Sequence, residues 1–266
     1  MSFVRISFGK PETRRARRMK ARFEDDAEWC IEMLLRRGHI CSPTQLAWYD
    51  GAFVSYALST RNDSLTTDQF GEAVTKSFES IEATTGRAPR IDVVEEMQPA
   101  SSTSWQRAPC LYLYAEEAGA IWTGPKHKPV PLYRVPVSEV IADRIWFWRH
   151  EFVHSYGIWL SGGPLGDAAY SEISDIESAF SKRGLELREE VEVATGKPTF
   201  YHLWRHWSAA DKKSERHCLT CNRRWDRLTD RHSALGLTLF DFKCIPCRLV
   251  SLAPATLETE PTFDSR

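Results

Sequence analysis

No stretch of about 18 consecutive apolar residues occurs in this 266-residue chain, so the sequence predicts no membrane-spanning helix. The opening MSFVRISFGK lacks the apolar core of a secretory signal, which points to a cytoplasmic protein. Net charge is nearly absent: 35 Lys and Arg stand against 36 Asp and Glu. The chain as a whole is therefore no polycation, and any affinity for nucleic acid must come from local patches. No glycine-rich nucleotide loop, Ser/His/Asp set or paired-carboxylate site stands out. What is present is ordinary for a globular protein, with 42% hydrophobic and 27% charged residues. The length suits one large domain or two or three small ones.

The first hundred residues alternate between strand and helix patterns. FVRISF (3–8) has the period of two of a strand. The segment 25–37 carries apolar residues at helical spacing and is followed by Gly38. QLAWYDGAFVSYALS holds two short apolar runs around Asp50–Gly51, a strong hairpin signal. A second helix fits 66–85, with Gly86 as its stop, and PRIDVV (89–94) reads as a strand. The order strand–helix–strand–strand–helix–strand predicts a ferredoxin-like α+β domain over 1–97.

QPASSTS (98–104) reads as a linker into a mixed, mainly helical middle domain, 98–208. It opens with a strand at 110–115, on which Cys110 is a core position. VPLYRVP (130–136) reads as a short extended piece. A long helix is expected from Ser138 to about Leu160, with Ile145, Trp148, Phe152, Tyr156 and Trp159 on one face. A second is expected over 167–182, stopped by Gly184, and a third over about 187–195. TFYHLW (199–204) is strand-like. The acidic, Thr- and Pro-rich tail 254–266 has the composition of a disordered segment.

Of the seven cysteines, four form two CxxC pairs: C-L-T-C at 218–221 and C-I-P-C at 244–247. Two thiolates two residues apart sit on one tight turn, and two such turns supply the four corners of a tetrahedron. In a reducing compartment such pairs bind metal more often than they form disulfides. Cys218, Cys221, Cys244 and Cys247 are thus the expected ligands of one structural Zn2+ in a ribbon over 209–253. A module this small needs such a staple to fold. Four thiolates leave no open coordination position, so the ion is not expected to be catalytic.

Residues 211–250 hold nine Lys/Arg and five Asp/Glu. Arg223, Arg224 and Arg227 cluster around Trp225, a set that can follow a phosphate backbone and stack a base. The same residues also suit a solvated face with a core tryptophan. A second basic run, Lys10 to Arg22, has seven Lys/Arg in thirteen positions and a single acid, Glu12.

LFDFKCIPCRLVS (239–251) resembles the C-terminal signature of an uncharacterised bacterial family of zinc-ribbon proteins to which nucleic-acid binding is ascribed. PVPLYRVP (129–136), SAFSKRGLEL (178–187) and EVATGKPTFYHLW (192–204) are similar to further stretches of that family. The resemblance implies a zinc ribbon and names no catalytic residues. One departure is that many members carry more cysteines before the PVPLYR-like piece. Here that region holds only Cys110 and the loop TGPKHKPV, so a second metal site there is not expected.

His-Glu-Phe-Val-His at 150–154 matches the HExxH pattern. In it two histidines one helical turn apart bind zinc, and the glutamate, here Glu151, activates a water. Glu172, 18 residues after His154, is the candidate third ligand. Leu160 stands where one peptidase class has a third histidine. The bland alternative is a solvated helix face.

The leading expectation is a non-enzymatic zinc-ribbon protein that binds nucleic acid or a protein partner, with no membrane association. The competing expectations are a zinc-dependent peptidase or hydrolase built on His150, His154, Glu172 and Glu151, and a protein-interaction antagonist or immunity-type protein.

Overall fold

The computed structural model describes residues 1–10, 20–41, 44–97, 104–205, 217–226, 235–240 and 242–252. They form an α+β protein whose chain divides into two compact units. Unit one is residues 1–102 with 131–142, and unit two is 103–130 with 143–266. Among the described residues, no helix is long and apolar enough to cross a membrane.

Unit one is built from β1 (Ser2–Gly9), α1 (Lys20–Arg36), β2 (Ala47–Tyr49), β3 (Ala52–Leu58), α2 (Glu72–Thr85) and β4 (Arg90–Glu96). The strands form one antiparallel sheet in the order β2-β3-β1-β4. Alternation along β1 sends Val4, Ile6 and Phe8 into the core with Phe53 and Ala57 of β3. Phe23, Leu34, Val74 and Ile81 of the helices close over them. Asp50 and Gly51 both take positive φ (51° and 73°), as a two-residue hairpin that matches the strand twist requires. Gly86, at φ 75°, ends α2 in the left-handed conformation.

Residues 131–142 are anchored within this unit. The Tyr133 amide donates to the Arg37 carbonyl at 2.8 Å, and the Glu139 carboxylate accepts from the Ala73 amide at 3.0 Å in the first turn of α2. The extended piece expected at 130–136 is instead a 3-10 turn at Leu132–Arg134. Pro131 and Pro136 cannot donate to a ladder, and the Val135 amide closes back on the Leu132 carbonyl.

Unit two contains β5 (Leu111–Glu116), β6 (Gly119–Thr123), β7 (Lys128–Pro129), β8 (Thr199–His202), β9 (Phe242–Cys244) and β10 (Leu249–Ser251). These make a mixed six-stranded sheet, β7-β6-β5-β8-β10-β9, parallel at β5–β8 and β8–β10. The strands flanking the second CxxC therefore belong to the same sheet as the middle of the chain.

Helices α3 (Glu139–Leu160), α4 (Gly166–Ser174) and α5 (Ala179–Thr195) complete the fold. Ile145, Trp148 and Phe152 form the buried face of α3, and the Trp148 ring stacks on Phe180 at 5.0 Å.

Two helix boundaries differ from the sequence expectation. The helix expected over 167–182 breaks at 175–178, and α5 runs on through Gly184. The break is a start signal: the Ser178 hydroxyl accepts from the Ser181 amide at 3.0 Å, and Glu172 accepts from the Phe180 amide at 2.8 Å. Gly184 does not stop a helix. It is small because a Cβ there would collide with the Tyr201 ring and meet Trp148 at 3.1 Å.

Candidate metal centre

Each CxxC lies on a tight turn that ends in a left-handed residue. In the first, the Asn222 amide donates to the Cys218 carbonyl at 2.8 Å and the Cys218 amide to the Arg223 carbonyl at 2.6 Å. In the second, β9 delivers Cys244, the chain turns through Cys247, and β10 departs at Leu249, which pairs back with Cys244. Asn222 and Arg248 each follow the last cysteine of their pair, at φ 54° and 55°. Asparagine tolerates this region well, whereas arginine needs outside support. Arg248 has it: Nε and Nη2 each donate to Glu192 of α5 at 3.3 Å, and the guanidinium lies over the Phe200 ring at 5.5 Å.

Asp226 ties the two turns together. Its amide donates to the Lys243 carbonyl at 2.8 Å, and its carboxylate accepts from the Ile245 amide at 2.7 Å. The four Sγ atoms then lie within 4.8 Å of one another. The Cys221 and Cys244 sulfurs are 3.7 Å apart. A tetrahedral ion with bonds of about 2.3 Å to sulfur sets its sulfurs about 3.8 Å apart, so the four residues fit one metal ion. Cys218 and Cys244 are buried, and Cys221 and Cys247 half-buried.

The Arg223 backbone amide stabilises the Cys221 thiolate and draws its pKa down to about 7. Burial pushes the Cys247 thiol up to about 12 and raises Cys244 as well.

Two uncharacterised proteins of Haemophilus influenzae are each 31% identical to this chain over 157 residues, or 57% of it. The aligned region covers 72% of one and 56% of the other. A family model for a domain of unknown function, DUF2310, matches residues 102–204, and a second such model, DUF8594, matches 208–254. The chain belongs to this uncharacterised DUF2310/DUF8594 family. No solved structure matches it. The four cysteines all lie in the segment matched by DUF8594, and the six-stranded sheet that carries β9 and β10 draws its other strands from the DUF2310 segment.

Arg223 and Arg224 are exposed beside the first turn. Trp225 is buried, 9% exposed, with its ring 5.9 Å from Phe242. It therefore packs the ribbon and offers no open face for a base. Arg227, residues 11–19 of the basic run and the tail 254–266 lie outside the described residues.

Glu151, His150 and Glu172 take separate tasks, and His154 is exposed. His150 stacks on Trp146 at 3.6 Å and its Nδ1 donates to the Trp146 carbonyl at 3.0 Å. Its ring lies 6.3 Å from that of His154. Glu151 pairs with Arg183 at 2.5 Å, and Glu172 caps α5 at Phe180. Among the described residues, the four cysteines are the group of ligand side chains brought within reach of one ion. Cys110, directly before β5, is buried, donates to the Leu235 carbonyl at 2.9 Å, and has its thiol pushed up to about 11 by burial.

Asp226 and the Arg248–Glu192 link were not singled out from the sequence. Asn222, which takes positive φ readily, was the available signal for the first turn, and Arg248 gave none for the second. Nothing local marks an aspartate that reaches the other turn.

Proposed function

We infer that the protein is a non-enzymatic binding protein in which the C-terminal cysteines hold one zinc ion as a structural staple and the ribbon contacts nucleic acid. The closed thiolate set carries this reading. Sulfurs spaced as on a single tetrahedron fill all four positions, which leaves none for water or substrate. Tetrahedral thiolate sites select zinc or iron–sulfur chemistry, and a one-ion site suits zinc. Bound zinc would supply folding free energy to the ribbon. Exposed Arg223 and Arg224 support phosphate contact, together with Arg227 from the sequence pattern. We also read unit one as ferredoxin-like, supported by its βαββαβ order and the strand order β2-β3-β1-β4.

Metal analysis joined to salt-dependent binding tests this function. The full chain should carry one zinc, lost in Cys221→Ser and kept in His150→Ala. It should bind mixed-sequence nucleic acid at low salt. Replacing Arg223 and Arg224 by Ala should weaken binding evenly across sequences and lower the salt slope by about 2. No binding at low salt would remove nucleic acid as the partner. A second zinc that depends on His150 would turn the reading toward a hydrolase.

A further inference from the structure

The sheet of unit one buries one face against the helices and carries an aromatic and cationic set on the other, where Tyr56 and Tyr49 are exposed, Phe3 and Arg5 half-buried and Val54 buried. Val4, Ile6 and Phe8 point to α1 and α2, so Phe3, Arg5 and Ser7 point the opposite way. On β3, Phe53 and Ala57 share the helix-covered face, while Tyr56 faces outward and is 44% exposed. The Phe3 and Tyr56 rings stack across the two central strands, with centroids 5.7 Å apart and planes 18° from parallel. Tyr49 of β2 pairs with Ala52, four residues before Tyr56 on the same face, and is 62% exposed. At a rise of about 3.4 Å per residue, that sets the third ring about 14 Å along the sheet.

Arg5 sits within this set, directly across from Tyr56. Its Nε is buried without a hydrogen-bond partner. On its other side stands Asp92, which pairs with Arg90 at 2.9 Å. Among the described residues no carboxylate pairs with Arg5. A guanidinium left so draws an anion, and the exposed Tyr56 ring beside it, backed by Phe3, draws flat π-faces. One polymer offers both at short spacing, a single-stranded nucleic acid. The charge of the following sequence agrees, with seven Lys/Arg between Lys10 and Arg22 against one acid. The β4 edge carries Asp92, Glu95 and Glu96, which repel phosphate and favour a path from β1 across β3 to β2.

We propose that this sheet face binds single-stranded RNA, with bases stacked on Phe3, Tyr56 and Tyr49 and a phosphate held by Arg5. RNA is the source because loops and ends with splayed bases are its common recognition form, whereas cellular DNA is mostly paired. The surface belongs to a different unit from the ribbon, so the inference stands apart from the ribbon reading.

Fluorescence anisotropy with the full chain and a labelled mixed-sequence RNA of about 12 nucleotides, within the usual site size, tests it. The RNA should bind at low salt, more tightly than a duplex of the same sequence and at least as tightly as the equivalent single-stranded DNA. Tyr56→Ala should weaken binding at least fivefold, the low end for a lost stacking contact, and Tyr56→Phe should restore it. Arg5→Gln, which leaves the rings in place, should reduce the salt slope by about 0.7. Replacing Arg223 and Arg224 should leave these effects in place. The proposal is overturned if the wild type does not bind RNA, if duplex binds as tightly, or if single-stranded DNA binds more tightly. It is also overturned if folded Tyr56→Ala and Arg5→Gln proteins bind like wild type. Loss in the Arg223/Arg224 variant alone would sink this surface and keep the ribbon, and the reverse pattern would do the opposite.

Discussion

The sulfurs of Cys221 and Cys244 lie 3.7 Å apart although 23 positions separate them in the chain. Asp226 helps to hold this spacing, because its carboxylate fastens the amide of Ile245, the residue after Cys244. Orientation of ligands by their neighbours tunes metal affinity. Asp226→Ala should therefore weaken zinc binding about 10- to 100-fold in a chelator competition, with stoichiometry unchanged at saturating metal.

Zinc binding should also depend steeply on pH. In the metal-free site burial keeps Cys244 and Cys247 protonated at neutral pH, the latter with a pKa of about 12. Zinc displaces at least those two protons, so affinity should fall at least about 100-fold for each pH unit lost between pH 8 and 6. Competition titrations at several pH values read this slope. A pH-independent constant would contradict the thiolate set.

His202 should make the fold acid-sensitive. Its ring is buried with both nitrogens unpartnered, and desolvation, helped by nearby His127, lowers its pKa to about 3. The unfolded chain takes up a proton near pH 6.5 that the native state refuses. Stability is thus unaffected above pH 6.5 and falls as pH drops toward 3, by at most about 1.4 kcal/mol per unit. His202→Phe should flatten this loss in urea melts. At pH 8 it should change stability by less than about 1.5 kcal/mol, because no hydrogen bond is removed.

Gly184 and Gly157 should respond in opposite directions to alanine. A Cβ on Gly184 collides with Tyr201, while one on Gly157 of α3 meets nothing within 4 Å. Gly184→Ala should cost about 1–3 kcal/mol by overpacking. Gly157→Ala should gain about 0.5–1 kcal/mol through helix propensity. Thermal melts of the two variants compare them directly.

Local chemistry made much of this protein legible. Asp50–Gly51 announces its hairpin because few other pairs accept two positive φ values. The CxxC pairs are legible because ligand spacing within one turn is a local property. Gly184 misled, since a glycine that ends a helix and one that makes room for a ring look alike in sequence. Trp225 left two readings open, display beside the arginines or a core position, and its ring is buried against Phe242.

The sequence by itself determined the alternating strands, the amphipathic helices, and the identity of four thiols able to take one metal ion. Each of these follows from periodicity or from spacing within a turn. Tertiary structure alone decided that Asp226 reaches Ile245, that Glu192 supports the strained Arg248, and that Phe3, Arg5 and Tyr56 share one sheet face. Apart from Phe3 and Arg5, which alternation along β1 already puts on one face, those relations join residues 19 or more positions apart, and only strand register and packing bring them together.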